Sequence, residues 1–106
     1  MSITAEIAAT VAQHNIVEHK VKDKYGRSVS EFHIYDRETK SSSTVVLCTL
    51  PKVAREADPT KQYIVNNWEK RHYEETSHWY FANRNEAKKF ALAELVASHA
   101  KKLAAV

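Results

Sequence analysis

A chain of 106 residues, 27% charged and 43% apolar, has the size and composition of one small folded domain and lies far from the low-hydrophobicity signature of disorder. Its single glycine all but excludes phosphate-cradling loops, dinucleotide fingerprints and nucleophile elbows, which need several glycines at fixed spacing. The formal charge of +3 comes wholly from the C-terminal segment: residues 1–82 hold 11 Lys and Arg against 11 Asp and Glu, residues 83–106 hold 5 against 2.

In chain order, Ser2 is placed to cap a first helix in which Ile3, Ile7 and Val11 recur every four residues, with Ala8 and Ala12 beside that stripe and Asn15 as a stop. The stretch IVEHKVKDKYGRSVSEFHIYDRE then alternates. Val17, His19 and Val21 share one face of a strand and Glu18, Lys20 and Lys22 the other. Gly26 falls where a hairpin must turn, and on the return strand Phe32 and Ile34 oppose Glu31, His33 and Tyr35. TKSSS reads as a polar turn and TVVLCTL, short and rich in β-branched residues, as a central strand, completing a three-stranded meander. Cys48, the only cysteine, sits inside that run as a small buried hydrophobe; with no second thiol there is no intrachain disulfide.

Pro51 ends the third strand, and KVAREAD suits one or two helical turns before Pro59. The stretch from Asp58 to Glu75 is ambiguous. Asp58 and Pro59 form a good cap and first-turn pair, yet QYIV favours a strand for which TSHWYFA supplies a hairpin partner, and strand is preferred. Asn83 with Glu86 resembles a capping box opening a last helix rich in alanine, leucine and lysine. On a helical wheel Leu92, Leu95, Val96, His99 and Leu103 form the face that covers the sheet. Phe90, Ala93, Ala97 and Ala100 lie on another side, where small residues suit the approach of the first helix. The expected fold is α+β, one domain over residues 1–106, an antiparallel sheet of three to five strands with the N- and C-terminal helices packed on one face.

Six histidines raise the question of metal. The nearest pairs, His14 with His19 and His72 with His78, are 5 and 6 positions apart, and neither spacing serves one ion; His72 and His78 share a strand face about 20 Å apart. His72, Glu74, His78 and Tyr80 can line one face suited to acid–base chemistry, although a solvated sheet face has the same composition. No metal, cofactor or catalytic residue is therefore expected.

The sharper feature is HWYFANRNEAKKFALAEL, which sets Arg84, Lys88 and Lys89 at a helix start, where the backbone dipole favours negative charge. A phosphate at that helix end would meet free amides, with Asn83, Arg84, Asn85 and Lys88 as side-chain donors, Lys89 adjoining, and Trp79 or Tyr80 available to stack on a base. NRNEAKKFALAEL is similar to the lysine- and alanine-rich helix of double-stranded RNA-binding domains, and the order helix, three strands, helix extends the comparison. The likeness covers about an eighth of the chain, roughly 30 residues after the third strand have no counterpart, and the glycines common near that family's strand turns are absent. The expected function is non-catalytic binding of nucleic acid through Asn83, Arg84, Lys88, Lys89, Trp79 and Tyr80. The alternative is a protein-binding adaptor or inhibitor, of the kind encoded by phages and other mobile elements, which occupies a partner's surface through aromatic anchors. No apolar run approaches the about 20 residues that cross a bilayer, so a cytoplasmic monomer or homodimer is expected.

Overall fold

The computed structural model describes residues 2–70 and 77–105. Its order is α1 (Ile3–His14), β1 (Val17–Lys22), β2 (Ser28–Asp36), β3 (Ser41–Thr49), α2 (Lys52–Ala57), β4 (Tyr63–Asn67), β5 (His78–Phe81) and α3 (Arg84–Ala104). The five strands form one antiparallel sheet in sequence order, so β3 is central, as its apolar run implies. The expected α+β architecture is present, with α3 laid across the sheet and α1 packed beside α3.

Local chemistry accounts for the elements. The Ser2 hydroxyl accepts from the Ala5 amide at 3.2 Å to start α1, and Asn15, in the left-handed region at φ 53°, closes it. Gly26, at φ 77°, makes the β1–β2 turn. Its entry is held by Asp23, whose carboxylate accepts from the Tyr25 and Arg27 amides and pairs with the Arg27 guanidinium at 2.7 Å. The ambiguous stretch resolves as strand: Tyr63–Asn67 pairs with both β3 and β5, because burying Val65 between two strands outweighs the helix start offered by Asp58 and Pro59.

Two expectations are corrected. Ser41, Ser42 and Ser43 belong to β3 and not to a turn, since pairing with Asp36, Tyr35 and Ile34 satisfies their backbone and Ser43 lies buried beneath α3. Ala93, Ala97 and Ala100 are exposed, and Phe90 turns to β5, where its ring meets Trp79 at 4.8 Å and Phe81 at 5.1 Å. The two helices instead meet around Ile3, Ile7, Val11 and Val96, and Lys89 pairs with Glu6 across them at 3.0 Å.

The core is the layer between sheet and helices: Phe32, Val45, Leu47 and Val65 from the strands, Ile7 and Ile16, and Ala87, Ala91, Leu92 and Leu95 from α3. A polar network closes its far end. Asn67, fully buried, donates to Glu94 at 2.9 Å and Ser98 at 3.0 Å and accepts from the Glu69 amide. Glu69 also pairs with Lys102 at 2.8 Å, and Ser43 bonds the His99 ring at 2.9 Å. The contacts of Asn67 and the Ser43–His99 bond give buried polar groups partners, as a stable interior requires.

Candidate functional site

Three surfaces bear on function: the start of α3, the uncovered face of the sheet, and a groove at the β1–β2 turn. At the first, the Asn83 side chain accepts from the Glu86 amide at 3.1 Å, the bond expected of a capping residue. Lys88 does not point outward. Its ammonium lies 3.0 Å from Glu18 Oε1, and the Arg84 guanidinium stands 3.8 Å from Glu18 Oε2 while donating to the Ser30 hydroxyl at 3.1 Å. Glu18 reaches this position because register pairs it with Phe32, so it faces the helix layer from edge strand β1. Burial opposes its charge, but the Lys88 ammonium, the nearby Ser30 hydroxyl and the charge of Lys20 outweigh that and hold the carboxyl below the usual glutamate range.

The six residues expected to grip nucleic acid therefore occupy different surroundings. Asn83 caps the helix, Arg84 and Lys88 surround Glu18, and Lys89 is paired with Glu6. Trp79 is opposite buried Val65, so it lies under α3 against Phe90, with the Lys70 ammonium 5.8 Å from its ring centre. Tyr80 projects from the other face of the sheet, 43% exposed, beside His78 and below Lys61. Tyr80 and the pair Arg84 and Lys88 thus lie on opposite sides of the sheet.

Among the described residues no helix covers that other face. Register places Val21, Val29, Cys48, Ile64 and Tyr80 in one row across all five strands, followed by a row of His19, Glu31, Val46, Asn66 and His78, then by Val17, His33 and Thr44. Val17, Val21, Tyr35 and Tyr80 are exposed there. Among the strand residues on this face there is no Lys or Arg, and Glu31 is the single carboxylate. His33 is fixed by Thr44 at 2.9 Å and Glu31 at 3.3 Å and meets the His19 ring edge-on at 5.2 Å. Among the described residues no three His, Cys, Asp or Glu side chains converge as metal ligands. His72 and Glu74, the other members of the acid–base row, lie outside the described residues.

Cys48 is half-buried within the apolar row, and burial pushes its thiol above the ordinary range. Its reaction with a maleimide at neutral pH is expected to be slower than that of free cysteine; an equal or faster rate would mark an activated thiol.

The third surface was not legible in the sequence. A groove of about 660 Å³ runs between the β1–β2 turn and the start of α2, with Leu50, Pro51 and Tyr25 as apolar lining and Arg27, Lys52 and Arg55 as cations. These residues are up to 30 positions apart in the chain, and only the pairing of β2 with β3 brings them to one end of the sheet.

The fold and these surfaces define a small two-layer α+β domain with one sheet face that no described helix covers. Compared with known proteins, the chain matches no family model, no curated protein and no solved structure. Among the described residues no helix is long and apolar enough to cross a membrane.

Proposed function

We propose that this chain is a non-catalytic binding protein, an adaptor or inhibitor, that seats a partner protein on the bare face of its sheet. The observation carrying this reading is the apolar row Val21, Val29, Cys48, Ile64 and Tyr80, on a face whose strands offer no cation. Nucleic-acid affinity is dominated by Lys and Arg contacts to phosphate, and the strand residues of this face supply none, although the Lys61 ammonium sits over the Tyr80 ring. A protein interface, in contrast, wants an apolar and aromatic centre with few charges. Five strands spaced about 4.8 Å apart make a face about 20 Å wide, the scale of the patch that a specific interface covers on each side.

The rival reading, phosphate contact at Arg84, Lys88 and Lys89, asks three cations to leave carboxylates within 3.0 to 3.8 Å. Exposed pairs such as Lys89 with Glu6 separate cheaply, but Lys88 is only 19% exposed and its carboxylate would be left behind, half-buried and unpaired.

The test pairs capture with titration. Tagged protein, nuclease-treated, is expected to retain one stoichiometric protein at both low and high salt, and the variant Val21→Glu/Tyr80→Glu to lose it while melting normally. Both residues are more than 40% exposed, so the substitutions leave the core intact. Equal retention by the variant overturns the proposal. So does affinity for single-stranded DNA, duplex DNA or duplex RNA that falls steeply with salt and survives the double substitution. Concentration-dependent sedimentation of the wild type alone, abolished in the variant, would assign the face to a second copy.

A further inference from the structure

The groove at the β1–β2 turn opens at the end of the sheet where the apolar row lies: its lining residues Ser28 and Thr49 are next in the chain to Val29 and Cys48, though strand alternation turns their side chains toward the helix side. A partner resting on the row reaches it around the end of the sheet. We infer that the groove receives an acidic peptide segment of the docked partner protein, with an apolar side chain against Leu50 and Pro51 and carboxylates at Arg55 and Lys52. This assignment rests on the docking reading above.

The charges define the ligand's sign. Of the three cations, Arg27 is neutralised by Asp23 at 2.7 Å, and Lys52 has only an exposed contact of 3.8 Å to Glu56. Arg55 spends its Nε–H on the Leu50 carbonyl at 3.0 Å. That bond fixes the guanidinium's plane, and among the described residues no carboxylate pairs with its terminal nitrogens. A guanidinium held by one bond, with no described carboxylate at its remaining donors, is suited to a bidentate carboxylate. The apolar floor adds burial for a side chain, and the volume lies within the range of ordinary ligand sites.

The aromatic residue decides between anions. Tyr25 is 70% exposed, which in isolation suggests a platform for a nucleic-acid base. Its ring is already engaged by the Lys24 ammonium at 5.1 Å and the Arg27 guanidinium at 5.2 Å. A stacking base competes with these cations for the ring, whereas a carboxylate needs no stacking partner and gains from the Lys24 charge, Arg27 being neutralised by Asp23. The carboxylate of a peptide is therefore favoured over a nucleotide.

The probe is a synthetic hexapeptide alternating Glu and Leu, compared with its Gln and Leu counterpart and with adenosine monophosphate, read by backbone amide shifts of the full chain. The acidic peptide is expected to shift amides at 25–28 and 49–55. Its affinity is expected to fall at least about tenfold in Arg55→Gln and several-fold in Lys52→Glu, and to be unchanged in Arg37→Gln, which removes an exposed cation from the β2–β3 turn at the opposite end of the sheet. Lys52 is a surface residue whose replacement leaves folding intact, so the result stands even if Arg55→Gln melts early. No shift at the groove, equal binding of the neutral peptide, or tighter binding of the nucleotide overturns the inference. Loss of partner capture in Val21→Glu/Tyr80→Glu together with a silent groove would sink the acidic-segment assignment and leave docking on the sheet face standing.

Discussion

Leu95→Ala is expected to lower the unfolding free energy by about 3 to 4 kcal/mol and the melting temperature by about 15 °C. Leu95 has no exposed surface and stands at the middle of α3, in one cluster with Phe32, Val45, Val65 and Leu92. Those neighbours come from three strands and one helix that are themselves paired, so they cannot collapse into the space a deleted isobutyl group leaves. Poor collapse places the cost toward the upper part of the range for such truncations. A domain of this length has a total stability of about 5 to 15 kcal/mol, so the variant approaches the folding threshold. Leu103→Ala, on the same helical face but half-buried near the end of α3, is the control and should cost about 1 kcal/mol or less. Urea unfolding of both variants measures the difference. If the two losses are equal, the core does not centre where α3 crosses β3 and β4.

The contrast between Leu95 and Leu103 also shows what periodicity conveys. The wheel placed both on the sheet-facing side, and both lie there; it had no means of knowing that the sheet ends before the helix does. Strand alternation worked in the same way. Phe32 and Ile34 turned inward and His33 and Tyr35 outward as the pattern required, because β2 has one face of pronounced apolarity. In β1 the alternation was clear but its sense was not. Val17 and Val21 look like the inward set, yet they are exposed, and Glu18 faces the helix layer. The reason is tertiary: β1 is an edge strand, and the part of α3 nearest Glu18 carries Arg84 and Lys88. A carboxylate satisfies those cations where a valine would bury them unpaired. Nothing within residues 17–22 records what lies above them. The same limit hid the groove, whose cations Arg27, Lys52 and Arg55 each read locally as ordinary surface charge. It also made the α3 start look like a ready phosphate site, since its counter-charge Glu18 comes from 70 positions before Lys88.

Glu18 is the residue on which this arrangement turns. Glu18→Gln should destabilise the protein by about 1 to 2 kcal/mol at neutral pH, and Glu18→Ala by about 2 to 3. Either change leaves Lys88, 19% exposed, without its counter-charge, at a helix start where the backbone dipole adds its own repulsion. Lys88→Met alone should cost a similar amount, because it leaves the Glu18 carboxylate, whose Oε2 has no hydrogen-bond partner among the described residues, with only the Arg84 guanidinium at 3.8 Å. The double variant Glu18→Gln/Lys88→Met should regain about 1 kcal/mol over the sum of the singles. Acid separates the ion pair from mere packing. A carboxyl held below its unfolded value binds protons less readily in the folded state. Its stabilisation is therefore complete above the ordinary glutamate range and is lost as the pH falls below about 4 and through the folded value. Asp58, held low by the Thr60 hydroxyl and amide, and Asp23, where desolvation is outweighed by the combined bonds from Arg27 and Tyr25, add slopes of the same sign. Urea midpoints followed from neutral pH to about pH 3 should show the wild type losing its advantage over Glu18→Gln within that acid window. Curves that stay parallel, or singles that simply add in the double variant, would mean that Glu18 merely fills space. In that case Arg84 and Lys88 would be free to leave it for a phosphate, and the helix start would regain the role its charges first suggest.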